Sequence, residues 1–582
     1  MKKSQTGYVR ERAPFKEYLG IFKGIKMPWL FIALIFVAAI GSTFAGLSVS
    51  FFTGDMVDAQ GDVPAAQLVS FAMGYLVMAA CAAGSTVFQG IASERMNLGL
   101  RSKLWRKIIY TKQSCYDKDS GETLVSRVTT DCDFASKLLT TIVGFLSVAV
   151  GLVMYISQMY ALNLTIANDI MLLVPVSVLI GWGYARLKFV IAQKTQAMLA
   201  GATTYLVERT RNLSMVKTSN TQEQEIREGK KRFQEQYIMQ IKTGLMAAFY
   251  TSLQTLYNIV SIVIPFAVGA NLVAKNILTA GDVIVFYGIS STVGGYFTNI
   301  IASVGEIRQA NGALSRVINT MKLPDEQLEK GLEMDEPDAD ITFENVQFGY
   351  SEDAVLKQVT FRIPKHKVTA IVGSNGSGKT TIFKLTERLY EPNQGEIRFG
   401  NTDVKAYNLH AWRKTFGMVA QGSPLLEGTI RENICYGCER EVSDQELVKV
   451  AKETGVYEFV SELPDGFETL LAPGGQNFSG GQRQCIAIAR AMMSSPDYLL
   501  LDEATSNLDA KSERAVIDGL DRLMQGRTTV IIAHSLAAIR HADYVVILKD
   551  GMVEATGSRD EILAKTDNYL ARVMHRKCPK MV

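Results

Sequence analysis

Three things are scarce in this sequence, and each scarcity narrows what it can do. Basic charge is not in excess: 61 Lys and Arg stand against 58 Asp and Glu, which argues against a general nucleic-acid binder with its concentrated basic face. Cysteine is sparse, odd in number and scattered (Cys81, Cys115, Cys132, Cys435, Cys438, Cys485, Cys578), which argues against a secreted disulfide framework. Cys435 and Cys438 form a C-x-x-C, but no second pair or His cluster accompanies them. Small residues in a loop are therefore expected there rather than a metal or redox site. Finally, charge is nearly absent from the long apolar runs of the first half. The first 26 residues are polar and basic and the next apolar run exceeds a signal's core, so no cleavable signal peptide is expected.

What is present divides into two halves. Six runs are long enough to cross a hydrocarbon core, roughly residues 27–52, 66–90, 139–161, 164–187, 247–273 and 281–304. Buried helices of a large soluble domain would be shorter and more often interrupted by charge. Lys2, Lys3, Arg10, Arg12, Lys16, Lys23 and Lys26 precede the first run, while the loop after it carries Asp55, Asp58 and Asp62 and no Lys or Arg. That asymmetry predicts a cytosolic N-terminus, and six crossings return the C-terminal half to the same side. Phe15, Tyr18, Leu19 and Phe22 recur at helical spacing beside Lys16, Lys23 and Lys26. They read as an amphipathic helix lying in the interface, the alternative being a simple continuation of the first span. Charged, helix-favouring sequence (SERMNLGLRSKLWRKIIY, TQEQEIREGKKRFQEQYIMQIKTG) follows the second run and precedes the fifth. The spans are thus expected to extend far beyond the bilayer.

After an acidic, Pro-containing stretch, strand and helix patterns alternate from Ile341 onward. Behind the apolar strand VTAIV stand Gly373, Ser374, Asn375, Gly376, Ser377, Gly378, Lys379, Thr380 and Thr381, a G-x-x-x-x-G-K-[ST] loop between strand and helix. Glycines let backbone N–H groups wrap a phosphate, and the helix N-terminus adds partial positive charge. Lys379 would reach the β- and γ-phosphates, and the Thr380 hydroxyl would ligate Mg²⁺. A later strand, Tyr498–Leu501, ends in Asp502 and Glu503. Asp502 suits Mg²⁺ through its water shell, and Glu503 is placed to polarise an attacking water.

Between these motifs lies Phe478-Ser479-Gly480-Gly481-Gln482. Together the set resembles the nucleotide-binding domain of ATP-binding cassette (ABC) transporters, and the six-span half resembles the exporter-type transmembrane domain. The likeness extends to Gly121-Glu122 and Ser126-Arg127 in the first cytosolic loop, where the family carries a short coupling helix. It implies a multidomain fold: an N-terminal cytosolic or interfacial segment (1–26), an all-α six-helix transmembrane domain (27–320), a linker (321–340) and an α/β P-loop NTPase (ABC ATPase) domain (341–582). It also implies that Tyr350 stacks on adenine and that Gln421 sits near Mg²⁺ and the attacking water. Ser479, Gly480, Gly481 and Gln482 would contact ATP held by the other subunit. Asp509 would bridge the subunits, and His534 would hydrogen-bond the γ-phosphate. Glu503, His534, Gln421 and Lys379 form the expected catalytic set; Thr380, Gln421 and Asp502 the Mg²⁺ set.

Because the phosphate loop and the Ser-Gly-Gly motif lie far apart on one such domain, the resemblance implies a head-to-tail dimer clasping two ATP molecules. The partner is expected to be a second copy, the alternative being a related half-transporter. Phe478 stands where the family usually has Leu, and Cys485 where Arg is common. The stretch Thr469 to Gly475 lacks the usual acidic residue.

The expected activity is an ATPase driving export of a peptide, lipid or drug-like cargo, from a multi-pass protein of a bacterial inner (plasma) membrane with both termini cytosolic. Import through the same fold and an ATP-gated channel or regulatory subunit are the alternatives. Tyr155, Ser157, Gln158, Gln254, Tyr257, Asn258, Tyr287, Ser290, Ser291, Tyr296 and Asn299 could line a cargo cavity, or equally could let helices pack and anchor. The lack of charge in the spans argues against a small inorganic ion as cargo.

Overall fold

A computed structural model of the chain describes residues 20–59, 63–117, 121–334, 338–502, 510–533 and 542–564. It separates into two compact units, one of Met1–Ile109 and Gly121–Leu323, the other of Tyr110–Ser120 and Pro324–Val582.

The first unit is helical, as long apolar runs in lipid require: only a helix satisfies every backbone group within its own segment. Its long helices are α1 (Trp29–Asp58), α2 (Ala65–Tyr110), α3 (Cys132–Leu162), α4 (Leu164–Arg211), α5 (Gln222–Ala274) and α6 (Ala280–Met321). Among the described residues, six helices are long and apolar enough to span a membrane. The charged flanks continue α2, α4, α5 and α6 well past the apolar runs, as their composition predicts. Pro175 and Pro265 sit inside α4 and α5 without ending them. At that same end of the bundle, Phe22–Lys26 are not helical and Pro28 caps α1. The first span therefore does not continue back through Phe22. Lys103 Nζ donates to the carbonyls of Ile21 and Lys23 at 2.8 and 2.9 Å, fixing that break.

Small residues set the helix contacts. A Cβ on Gly54 would lie 2.6 Å from Val285 and 2.9 Å from the Gly281 carbonyl oxygen, and one on Gly281 would collide with the Gly54 carbonyl and the Asp58 carboxylate. Asp58 accepts from the Gly281 N–H at 2.7 Å, so α1 supplies a cap to the first turn of α6. Thr279 and Asp282 complete a capping box there. At the far end of α6, Arg316 donates to both carboxylate oxygens of the buried Asp131 at 2.8 and 2.5 Å, and Arg127 donates to Thr320 at 3.0 Å. A short helix (Gly121–Ser126) and one π-turn (Arg127–Asp131) lead into α3 at this clasp.

The second unit is α/β. β1 (Ile341–Phe348), β2 (Leu356–Ile363), β4 (Gln394–Phe399) and β5 (Thr402–Asp403) form an antiparallel sheet in the order β2-β1-β4-β5. The main sheet runs β12-β11-β3-β10-β9-β6. Its strands β3 (Val368–Gly373), β6 (Phe416–Val419), β9 (Tyr498–Asp502), β10 (Thr528–Ala533) and β11 (Tyr544–Lys549) are parallel, and β12 (Met552–Ser558) closes one edge antiparallel. A separate short pair, β7 (Gly428–Thr429) and β8 (Leu470–Leu471), is antiparallel. β9 and β10 are buried at every position, as a parallel sheet covered on both faces demands. Residues expected to be a linker are hydrogen-bonded to this unit. The Leu332 N–H donates to the Ala406 carbonyl, the Asn408 N–H donates to the Leu332 carbonyl, and Arg413 forms a bidentate pair with Glu326 at 2.7 and 2.8 Å.

Substituting Gly281→Ala is expected to cost about 1–3 kcal/mol, because the obstacle is backbone and cannot rotate away. Gly295→Ala in the same helix, where a Cβ meets nothing within 4 Å, is the control. A fall in the thermal midpoint in detergent for the first variant but not the second checks this.

Candidate functional site

The site is built on the carboxyl edge of the parallel sheet, where open α/β sheets leave a crevice for ligands. β3 ends at Gly373 and turns through Ser374–Gly378 into helix α7 (Lys379–Thr386). The turn is possible because Gly376 and Gly378 adopt φ of +81° and +100°, a region open to glycine at little steric cost. A Cβ on Gly378 would in addition lie 2.5 Å from Leu356, and one on Gly373 would collide with the Leu548 carbonyl. Such a left-handed turn gathers successive backbone N–H groups on one concave side, and the first turn of α7 directs the N–H groups of a helix N-terminus to the same side. Lys379, 6% exposed, lays its ammonium across the loop, donating to the Gly373 and Ser374 carbonyls at 3.0 Å each. Ser377 Oγ is buried and makes no hydrogen bond. A turn of this shape with an orphaned hydroxyl fits a phosphate chain.

The sheet order brings other expected residues to the same edge. β10 lies between β3 and β9, with Ala533 opposite Val372 and Ile532 opposite Asp502. Asp502 is therefore two strands from the phosphate loop, 6% exposed. β6 flanks β9 on its other side, so Gln421, which follows β6, emerges at this edge and is exposed. The Thr380 hydroxyl is exposed on the first turn of α7. A hydroxyl, a carboxylate and an amide oxygen are the hard donors that suit Mg²⁺. Glu503, Asp509 and His534 lie outside the described residues.

Tyr350 stands at the other end of the loop, 41% exposed. Its hydroxyl lies 3.3 Å from Thr381 Oγ1, so Thr381 is buried against the aromatic residue rather than exposed beside Thr380. The ring meets Phe348 and Tyr390 edge-on at 5.1 and 5.2 Å, and Lys384 Nζ lies 4.9 Å from its centroid. Tyr390 and Lys384 escaped the sequence reading; their one signal was a Lys and an aromatic near the end of α7.

The Ser-Gly-Gly motif belongs to a different core. Ser479 is the N-cap of α9 (Gly480–Met493), with α8 (Asp444–Glu453) packed alongside. Gln482 N–H donates to Ser479 Oγ at 3.2 Å, and the Ser479 N–H donates to Gln482 Oε1 at 2.9 Å. Within the unit, Gln482 thus completes a capping box. Ser479 and Gly480 are left exposed ahead of the helix. Phe478 and Cys485 are core residues, packed with Ile430, Leu447 and Val456. Burial pushes the Cys485 thiol up to about 12, so this departure from the family pattern fills space. Half-buried Arg490, on the same helix, donates to the Pro424 and Asn433 carbonyls and to the Asn433 side chain at 3.1, 2.8 and 2.8 Å. Asn433 in turn holds the N–H and carbonyl of Leu426. The loop after Gln421 is thereby tied to α9. Cys435 and Cys438 close a turn, the Cys438 N–H donating to the Cys435 carbonyl at 3.0 Å, and both are half-buried against this core. Among the described residues no cluster of His, Cys, Asp and Glu could hold a metal ion by itself.

The polar residues of the spans divide. Tyr155, Tyr257 and Ser290 are buried in the bundle, Tyr155 beside Tyr296, whose hydroxyl lies 3.1 Å from Thr43 Oγ1. Ser157, Gln158, Asn258, Tyr287, Ser291 and Asn299 are exposed, and Gln254 is half-buried.

A glycine-rich phosphate loop on a parallel sheet, fused to a bundle of membrane-length helices, defines an ATPase that drives a membrane transporter. Comparison with known proteins makes the family explicit. Residues 32–297 match the ABC transporter transmembrane region and residues 356–506 the ABC transporter family model. A multidrug resistance ABC transporter ATP-binding and permease protein of Lactococcus lactis is 29% identical over 97% of this chain and 96% of its own. An uncharacterized ABC transporter ATP-binding protein of Bacillus subtilis is 32% identical over 81% and 78%. A mitochondrial potassium channel ATP-binding subunit of Mus musculus is 30% identical over 92% and 77%. The chain belongs to the ABC transporter family and has the exporter-type half-transporter arrangement.

Glu387 caps the carboxyl end of α7, where a negative charge is disfavoured. Burial pushes its carboxyl up to about 7, against a smaller opposing pull from Arg413. The folded state then holds the proton more tightly than the unfolded chain, so stability is full below the ordinary value of 4.5 and falls as pH rises through about 7. Glu387→Gln is expected to stabilise the protein by about 1–3 kcal/mol at pH 8 and to change little at pH 5. Thermal midpoints at the two pH values check the sign, and an equal effect at both would contradict it.

Proposed function

We propose that this chain forms a homodimer in a bacterial inner membrane, with both termini cytosolic, and exports an amphipathic or hydrophobic cargo by alternating access. The observation that carries the composite-site reading is the separation of two half-sites into different cores. The phosphate loop packs through Ile382, Phe383 and Leu385 with Phe343 and Trp412, whereas Ser479 caps a helix of the Ile430–Leu447 core. Each half-site is open on its own. The exposed N-terminus of α9 has unpaired N–H groups and a favourable dipole for the phosphates held by a second copy. The charge asymmetry around the first span supports the orientation. The name of the Lactococcus lactis relative, a multidrug resistance protein, supports a hydrophobic or amphipathic cargo.

In the proposed site Tyr350 stacks on adenine, the loop from Gly373 to Thr381 wraps the phosphates, and Lys379 turns from its two carbonyls to the β- and γ-phosphates. Thr380, Gln421 and, through water, Asp502 would hold Mg²⁺, which neutralises phosphate charge when bound. Gln421 also positions the attacking water, Glu503 accepts its proton, and His534 donates to the γ-phosphate. Ser479, Gly480, Gly481 and Gln482 meet ATP from the opposite subunit, and Asp509 bridges the two. Phosphoryl transfer asks for positioning and charge neutralisation more than covalent help. ATP therefore holds the dimer closed, and its cleavage releases it. Opening and closing would swing the extended ends of α2, α4, α5 and α6, changing which side of the membrane the bundle faces.

Glu503→Gln is expected to slow hydrolysis by about 10²–10⁴-fold while retaining ATP binding. Single-turnover hydrolysis and nucleotide binding on the purified full chain separate the two, and hydrolysis within about threefold of the parent would remove Glu503 from the role. For the transport reading, inverted vesicles containing the chain alone should take up a hydrophobic dye on ATP addition. ATP-dependent conductance without dye uptake would favour a channel instead, the reading that matches the name of the mouse relative.

A further inference from the structure

The segment that follows α2 is joined to the second unit by its backbone. Thr111 bridges Asp325, the Lys112 N–H donates to the Pro324 carbonyl at 3.1 Å, and the Glu326 N–H donates to the Tyr110 carbonyl at 2.7 Å. Carried on that segment, Asp117 accepts from the Tyr390 hydroxyl with both carboxylate oxygens, at 2.8 and 2.9 Å. Tyr390 is 6% exposed, and its ring stands at 86° to Tyr350 and 66° to Phe348. Lys384 Nζ lies 4.9 Å from the Tyr350 centroid and 5.6 Å from that of Tyr390. Tyr350 is thus braced at its edge by Tyr390, at its hydroxyl by Thr381 and over one face by Lys384.

An edge-to-face ring pair has a preferred angle, and a ring hinged only at its Cβ keeps that angle when its far end is fixed. The only polar atom at the far end of Tyr390 is the hydroxyl that Asp117 holds.

We propose that Asp117 is a positioning residue for adenine: by fixing the Tyr390 hydroxyl it sets the aromatic platform on which Tyr350 receives the base. The inference rests on the reading of Tyr350 and the phosphate loop as one nucleotide site. It adds that base recognition depends on a residue of the connection between α2 and α3. Displacing that connection loosens the grip on the base and leaves the grip on the phosphates as it was.

The test compares two ligands on the full chain in detergent: Mg·ATP, which has a base, and Mg·tripolyphosphate, which lacks one. Tyr390→Phe and Asp117→Ala are each expected to weaken ATP by about 3–10-fold, the size of one ordinary hydrogen bond's net contribution because the effect reaches the base through the ring, and to leave tripolyphosphate within about twofold. Asp117→Asn, which still accepts a hydrogen bond, should recover most of the ATP affinity, and the double variant Asp117→Ala/Tyr390→Phe should be no weaker than either single one. Equal losses for both ligands would mean general damage to the unit and would overturn the proposal, as would unchanged ATP affinity. Lys379→Ala distinguishes the two levels. If it weakens both ligands while the Asp117 and Tyr390 variants are silent, only this inference fails. If it weakens neither, the phosphate-loop reading fails, and this inference with it.

Discussion

A triphosphate can be held by a protein backbone only where several N–H groups point at one place, and the interior of a strand or helix does not allow that. The left-handed turns at Gly376 and Gly378 make it possible here, and much of the ATPase unit follows from them. They must be fed by a strand whose end is fixed, which places Gly373 inside a sheet with β10 and β11 on either side. They must deliver the chain into a helix, which puts Lys379 within reach of two carbonyls. The parallel order of β3, β10, β9 and β6 then sends the chain ends that carry Asp502 and Gln421 to the same edge.

The membrane unit answers a different constraint with a similar device. Where lipid removes the hydrophobic drive between helices, close approach has to come from small residues. Gly54 and Gly281 let α1 and α6 touch backbone to backbone, and the Asp58 carboxylate covers the Gly281 N–H that the first turn of α6 would otherwise leave unpaired. At the opposite end Asp131 and Arg316 join α6 to the start of α3. The sixth helix is held at both ends by charge and in its middle by Phe286, Ile289 and Val293 in the bundle core.

How legible all this was depends on the range of the interaction. The spans were readable because apolar length is a local property, and the phosphate loop because its glycines must fall at fixed spacing. Their boundaries moved where capping groups act: Pro28 starts α1, and Phe22 lies in a turn that Lys103 secures, while Phe15, Lys16, Tyr18 and Leu19 of the expected interfacial helix lie outside the described residues. The motif presents Gln482 as a nucleotide ligand, and inside the unit its side chain completes a helix cap, two roles that one spacing cannot separate. Cys485 stood out as an oddity and is a packed core residue. Least readable was the bond between Asp117 and Tyr390, whose partners are 273 residues apart. Neither side chain belongs to a motif, and only the fold brings them together. The half-buried Arg490 that ties the Gln421 loop to α9 is hidden for the same reason.

The attachment of Tyr110–Ser120 and of the stretch from Pro324 to the ATPase unit bears on how that unit can be handled in isolation. An excised fragment beginning at Ile341 would discard Glu326 and leave the half-buried guanidinium of Arg413 without its carboxylate. It would also strip the Ala406 carbonyl and the Asn408 N–H of their backbone partner. Catalytic constants taken from such a truncated piece would describe a unit relaxed along one flank, and a faithful soluble fragment would have to start upstream of Pro324.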